Sequence, residues 1–247
     1  MKESLLKRLR AVDTPTVCNA IEVAQGQRGF NAFTRGTVLC SDPAGGAIVG
    51  FARTARIAAC RPSDEAPEVV RGRRMAYYRY MSEAPRPGIA VIEDLDKPRV
   101  IGSFWGEVNS NTHRALGCVG TITDGAIRDV DEMCNAGFKA LAQRLCVGHA
   151  HVVPVEWNVP VEVFGTGVEP GQLIHADKHG FLVIPEEDQA QLLEAARFMD
   201  SNECQTVIAA ARSVQGLGTG DILKQVNEAG MEFSRRVRER YEKDGEW

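Results

Sequence analysis

Hydrophobic and polar positions alternate along this chain in two rhythms. The helical rhythm is clearest near the C-terminal end, where Ile222, Val226, Ala229, Phe233 and Val237 form one apolar stripe. It also marks residues 5–12, residues 68–81, and a long stretch from about 186 to 214. Thr14 before Pro15 reads as an N-cap with proline at the first helical position. That helix runs through Val17, Ala20, Ile21 and Ala24 and ends in the glycine-marked segment 26–29. The second rhythm is that of strands. Residues 47–58 alternate toward their end, and residues 88–95 form a continuous apolar run that closes in acids, as a buried strand does. Residues 138–146 predict another buried strand. After Gly148 come four short strand candidates, at 152–155, 159–164, 172–176 and 180–184. Turn chemistry separates them at 165–167, 169–171 and 177–180. Strands mixed with helices predict a single α/β domain with a core at about 12–190 and a helical C-terminal arm at about 186–247.

One stretch joins both rhythms. Residues 119–122 are apolar enough for a buried strand, Asp124-Gly125 predicts a turn, and residues 130–136 predict a helix stopped by Gly137. Between turn and helix stand Arg128 and Asp129, followed by Asp131 and Glu132. Neighbouring residues within a helix do not share a face, so Arg128 and Asp129 can converge on one ligand only at a turn or a helix start. Twenty residues separate Arg128 from Glu107, which lies in the segment 105–116, where loop chemistry comes first and helix chemistry after. A helix N-terminus there would present free backbone N–H groups to a carboxylate or phosphate.

Composition narrows the classes. The formal net charge of −4 gives no strong attraction to nucleic acid or anionic membranes. The cluster Arg71-Gly72-Arg73-Arg74 reads as a solvated helix face or subunit contact. Seven cysteines, an odd number with no C-x-x-C pair, predict reduced thiols. The charged first residues do not resemble a signal peptide, and no window has the ~20 apolar residues a membrane span needs. A cytoplasmic protein is the expectation.

The block Gly120-Thr-Ile-Thr-Asp-Gly-Ala-Ile-Arg-Asp-Val-Asp-Glu132 resembles the signature of the RraA-like family. That family includes class II 4-hydroxy-4-methyl-2-oxoglutarate/4-carboxy-4-hydroxy-2-oxoadipate aldolases and regulators of ribonuclease E activity. Agreement extends to Gly45-Gly-Ala-Ile-Val-Gly50, Asn158-Val-Pro-Val161, Gly167-Val-Glu-Pro-Gly171 and Ala176-Asp-Lys-His-Gly180. Residues 61–87 and the arm beyond Gln189 depart from the family pattern, and Glu107 stands where the aldolases usually carry aspartate. The resemblance implies a three-layer β/β/α fold of the swivelling-domain type, assembled as homotrimers or homohexamers. It further implies a divalent metal, Mg²⁺ or Mn²⁺, held through Asp129 and water, with Glu132 in a supporting position. Arg128 would grip the substrate carboxylate, and the amides of Gly106, Glu107, Val108 and Asn109 would bind the same pyruvyl group.

These residue types suit that chemistry. Retro-aldol cleavage or decarboxylation of a 2-oxo acid passes through an enolate, and a bound cation can stabilise its oxyanion. A hard cation needs oxygen ligands and keeps several waters, so one or two carboxylates suffice. The guanidinium fork binds a carboxylate bidentately in a way lysine cannot. No lysine is placed as a Schiff-base nucleophile, which favours the metal-dependent class. The expected function is therefore a metal-dependent lyase releasing pyruvate from a 2-oxo acid, with oxaloacetate decarboxylation as a side activity. The alternatives are a non-catalytic regulator acting by protein–protein contact and another enolate-forming enzyme, a hydratase or tautomerase. His149-Ala-His151 reads as a strand whose side chains face opposite ways, hence not a chelating pair. His113, beside the anion loop, is a lesser acid/base candidate.

Overall fold

The computed structural model describes residues 3–242 and divides into two compact units. The first holds the chain up to Thr14 together with Ala32–Glu186, and the second holds Pro15–Asn31 with the residues from Glu187 onward.

The first unit begins with α1 (Glu3–Leu9), and its end at Thr14 opens α2 (Thr14–Gln25). Thr14 is the first helical residue and not the cap. Its N–H donates to Asp177 Oδ2 at 2.8 Å and its hydroxyl meets His175 Nδ1 at 3.0 Å. The sheet strands follow as β1 (Leu39–Cys40), β2 (Ile48–Ala58), β3 (Gly88–Asp94), β4 (Ser103–Trp105), β5 (Cys118–Ile127), β6 (Lys139–Leu145) and β7 (Val153–Trp157). After them come the hairpin β8 (Val161–Val163) and β9 (Thr166–Val168), then β10 (Leu173–Asp177) and β11 (Gly180–Ile184). Helices α3 (Pro67–Met81), α4 (Glu107–Ala115) and α5 (Val130–Asn135) connect the parallel strands. The large sheet runs β1-β6-β5-β3-β2-β10-β11, with β4 against β5 and β7 against β2. Its centre, β2-β3-β5-β6, is parallel, and β1, β7, β10 and β11 pair antiparallel.

Strand alternation sorts the apolar residues into two cores. Ala55, Ile57, Ala90, Ile92, Ala140 and Ala142 point to the face where Tyr77, Tyr80 and Met81 of α3 pack with Trp105 and Met133. Ile89, Val91, Ile122 and Leu141 point to the other face, against Val161, Val163 and Val168 of the small hairpin. Hairpin, sheet and helices make three layers, the β/β/α arrangement of the swivelling-domain type.

Several local expectations are corrected. Asp124-Gly125 is not a turn: β5 runs straight through it, with a register shift against β6 between Thr123 and Ala126. Tertiary partners hold the bulge open. Asp124 accepts the Asp94 amide at 2.8 Å and pairs with Lys97 Nζ at 2.7 Å, and a Cβ on Gly125 would lie 2.8 Å from Asp94 Oδ2. The segment before α4 is strand β4 and not loop. The segment 165–167 is mostly strand β9, because Phe164 and Gly165, both at positive φ, make the hairpin turn one residue earlier.

In the second unit the long helical stretch is broken. A 3₁₀ turn (Glu186–Asp188) begins at the border between the units, and α6 (Leu192–Gln205), α7 (Val207–Ser213) and α8 (Thr219–Tyr241) follow. Leu192, Ala195, Ala196 and Met199 of α6 are buried, as are Phe233 and Val237 of the stripe seen on α8. Asn202 Nδ2 donates to the Phe233 carbonyl at 3.1 Å, and Gln25 Nε2 donates to Asp188 Oδ2 at 2.9 Å. Among the described residues no helix is long and apolar enough to cross a membrane.

Candidate active site

The site forms where two parallel strands end side by side. Strand β4 pairs with the end of β5, Ser103 opposite Ala126 and Trp105 opposite Ile127, and the Arg128 N–H donates to the Trp105 carbonyl at 3.1 Å. Each strand leads at once into a helix. The twenty intervening residues therefore bring Gly106-Glu107, at the mouth of α4, against Arg128-Asp129, at the mouth of α5. Strand ends beside helix N-termini are where open α/β sheets bind ligands.

Helix α4 has no side-chain cap of its own, since its N-cap is Gly106. Asp129 does that work from the neighbouring strand end, its Oδ2 accepting the Glu107 N–H at 3.1 Å. A carboxylate at this place is favoured by the helix dipole. The amides of Val108 and Asn109 lie in the same first turn, before the helical ladder opens with the Ser110 N–H to Gly106 bond. Gly106 is required by contact: a Cβ there would sit 2.6 Å from Asp129 Oδ2 and 3.2 Å from Arg128 Cγ. Asp129 itself is left-handed, at φ 52° and ψ 49°, a conformation uncommon outside glycine and stored here at the site. That twist lets adjacent Arg128 and Asp129 turn toward one space, with Arg128 Nε 3.6 Å from Asp129 Oδ2 and both side chains about one-third exposed (37% and 36%).

The space is a cavity of about 480 Å³, lined by Gly106, Glu107, Val108, Asn109, Arg128 and Asp129. Other lining residues come from segments that the sequence pattern assigned to a solvated helix face or subunit contact and to a strand. Helix α3 contributes Val70, Arg74 and Tyr78, and the turn after β6 contributes His149 and His151. The two histidines are not on a strand. Ala150 has φ 47°, and the turn it makes places both residues in the lining of the same cavity. The flanking Gly148 and Pro154 were the available signal. Tyr78 Oη donates to Asn109 Oδ1 at 2.9 Å, and Asn109 Nδ2 donates to the Phe104 carbonyl, so Asn109 ties α3 to the mouth of α4. Burial pushes the Tyr78 hydroxyl above its ordinary range, while the nearby Arg74 charge pulls the other way.

Two expected participants lie elsewhere. Glu132 is exposed on α5 and does not line this cavity. His113 is fully buried, its Nδ1–H donating to the Asn109 carbonyl at 2.7 Å and its Nε2 accepting from Tyr77 Oη at 2.8 Å. Burial lowers its pKa to about 4, so it is a neutral structural ring between α3 and α4. Among the described residues no cluster of three His, Cys, Asp or Glu side chains could enclose a metal ion. Asp129 keeps one carboxylate oxygen not held by α4, a hard donor of the kind that a cation retaining most of its waters would need.

Fold and site together define an α/β protein of the β/β/α type whose α4 mouth is capped from the neighbouring strand end by the carboxylate of an Arg–Asp pair. The RraA-like model, described as Aldolase/RraA, matches residues 14–183, and the chain belongs to that family. Among relatives, a protein named "Putative 4-hydroxy-4-methyl-2-oxoglutarate aldolase" from Halalkalibacterium halodurans is 28% identical over 151 residues, 61% of this chain and 65% of that one. An Arabidopsis thaliana protein named "Putative 4-hydroxy-4-methyl-2-oxoglutarate aldolase 3" is 32% identical over 104 residues, 39% of this chain and 57% of its own. Protein DlpA of Legionella pneumophila is 26% identical over 110 residues, 44% of this chain but only 18% of its own length. The chain thus spans less than two-thirds of the length of these relatives. Two solved structures share the fold. An uncharacterized protein from Pseudomonas syringae superposes with TM-score 0.67 at 22% identity, covering 94% of this chain and 95% of that one. Streptomyces coelicolor RraAS2, described as an unusual member of the RNase ES inhibitor RraA family, has TM-score 0.61 at 22% identity and covers 83% and 95%.

Proposed function

We propose that this protein is a divalent-metal-dependent carbon–carbon lyase that releases pyruvate from a 2-oxo acid. 4-Hydroxy-4-methyl-2-oxoglutarate is the type substrate, and oxaloacetate is a substrate for decarboxylation. The observation that carries the reading is the convergence of the Arg128 guanidinium, the first-turn amides of α4 and the Asp129 carboxylate on one cavity. Arg128 holds the 2-oxo acid's carboxylate by charge-assisted hydrogen bonds. The Val108 and Asn109 amides, fixed at the positive end of α4, orient the same pyruvyl group without reorganisation. Asp129 and a water-rich Mg²⁺ or Mn²⁺ shell complete the site, and a cation bound there would supply Lewis-acid charge for the enolate oxygen. The names of the aldolase relatives support this reading.

The test is pyruvate release, coupled to lactate dehydrogenase, from 4-hydroxy-4-methyl-2-oxoglutarate and from oxaloacetate, with Mg²⁺ or with a chelator. Turnover should require the metal. Asp129→Ala should lower kcat/KM by at least ~10³-fold while circular dichroism stays close to the parent and Tm falls by only a few degrees, as loss of the α4 cap at about 1 kcal/mol would give. Metal-independent turnover, or a fully active Asp129→Ala protein, would overturn the assignment.

A further inference from the structure

Helix α3 lies in the segment 61–87 that departs from the family pattern, yet it walls the cavity with a regular stripe. Val70, Arg74 and Tyr78 are spaced four residues apart, which on a helix places them on one face. The face of α3 next to the stripe is fixed by burial of Tyr77, Tyr80 and Met81, with Tyr77 three residues from Arg74 and Met81 three from Tyr78. The direction of the stripe is therefore set by the core and not by solvent. Its lower end is pinned where the Tyr78 hydroxyl bonds to Asn109 in the first turn of α4. Arg74 stands one turn further along, about 6 Å by helical rise.

The neighbouring arginines have other circumstances. Arg73 is paired with Glu65 at 2.5 Å, and Arg71 does not line the cavity. Arg74 has no acid partner among the described residues, although it faces a space that already contains a second guanidinium, Arg128. The carboxylates of the same cavity are Glu107 and Asp129; Asp129 lies 3.6 Å from Arg128, and neither pairs with Arg74. Arg128 and the α4 mouth take one carboxylate, so the geometry points to Arg74 as the specificity residue for a second. We infer that Arg74 reads an anionic group on the substrate half remote from the pyruvyl group. Substrates should then be dicarboxylates, with the distal carboxylate lying along α3. This rests on the lyase reading for the orientation of substrate, but the binding itself can be measured without turnover.

The experiment is isothermal titration of the whole protein, in Mg²⁺ buffer, with pyruvate and with 2-oxoglutarate, one carboxylate against two. The parent should bind 2-oxoglutarate at least ~10-fold more tightly than pyruvate, as a charge-assisted bidentate contact would give. Arg74→Gln should bring that ratio to within about 2-fold of unity. Arg74→Lys, which keeps the charge and loses the fork, should fall between. Arg71→Gln, on the same helix and off the cavity, should keep the parental ratio and so controls for loss of helix stability. An unchanged ratio in Arg74→Gln overturns the proposal, as does a parent with no preference for the diacid or no binding of either ligand. If the ratio responds to Arg74 while no 2-oxo acid is cleaved, the lyase reading fails and Arg74 keeps its role. If pyruvate is released and the ratio ignores Arg74, the reverse holds.

Discussion

At the scale of single residues, the site depends on one missing methyl group. Gly106 leaves room for the Asp129 carboxylate to cap α4, and the atom a Cβ would strike is the oxygen already bonded to the Glu107 amide. Gly106→Ala should therefore displace the Arg128–Asp129 pair and not the backbone, which is extended there and suits any residue. The expected outcome is a drop of at least ~10-fold in kcat/KM for pyruvate release with a stability change below ~1 kcal/mol in urea. An active Gly106→Ala enzyme would show that Asp129 need not hold this position. Arg128, Asp129, Gly106 and Glu107 could all be singled out in the sequence because their residue types and spacing are unusual together. Arg74 was assigned to a solvated face or subunit contact and His149 and His151 to a strand, since nothing local distinguishes an arginine facing a cavity from one facing water or shows the turn at Ala150.

At the scale of elements, periodicity located nearly every helix and strand, and the errors share one cause. Asp124-Gly125 has the local chemistry of a turn, but Lys97 and the Asp94 amide satisfy Asp124 from the neighbouring strand region, so β5 continues as a bulged strand. The three residues of β4 were unreadable because so short a strand has no period; only its pairing with β5 defines it. Helix α3 shows how an element becomes part of a site. Its Tyr78–Asn109 bond joins the wall bearing Arg74 to the turn that binds the carboxylate. Tyr78→Phe should cost about 1 kcal/mol of stability in urea unfolding, the usual worth of one partly buried hydrogen bond. It should also raise KM for a dicarboxylic substrate several-fold more than it lowers kcat, because α3 positions substrate and takes no part in bond breaking. Equal effects on both would argue against a positioning role.

At the scale of the molecule, the parallel centre of the sheet is covered on both faces, by helices on one and by the small hairpin on the other, as parallel strands require. Fully burying the sheet also buries Asp94, whose Oδ2 has no hydrogen-bond partner among the described residues. Burial, reinforced by the charges of Asp96 and Asp124, raises its pKa to about 6 against the bond from the Asp96 amide. A carboxyl whose pKa rises on folding gives stability that is fully present below its unfolded value and is lost as pH climbs through about 6. Asp94→Asn stays neutral throughout, so it should match the parent near pH 4 and exceed it at pH 8 by on the order of 2 kcal/mol. Urea midpoints at the two pH values check this, and a parent more stable than the variant at pH 8 would refute it. The sequence by itself determined the α/β class and the family block, and it singled out Glu107, Arg128 and Asp129, because those follow from residue type and short-range spacing. Tertiary structure alone decided that β4 and β5 end together and that α3 and the 149–151 turn close the cavity. Those relations depend on strand register and on which helix face the core takes, which no local pattern contains.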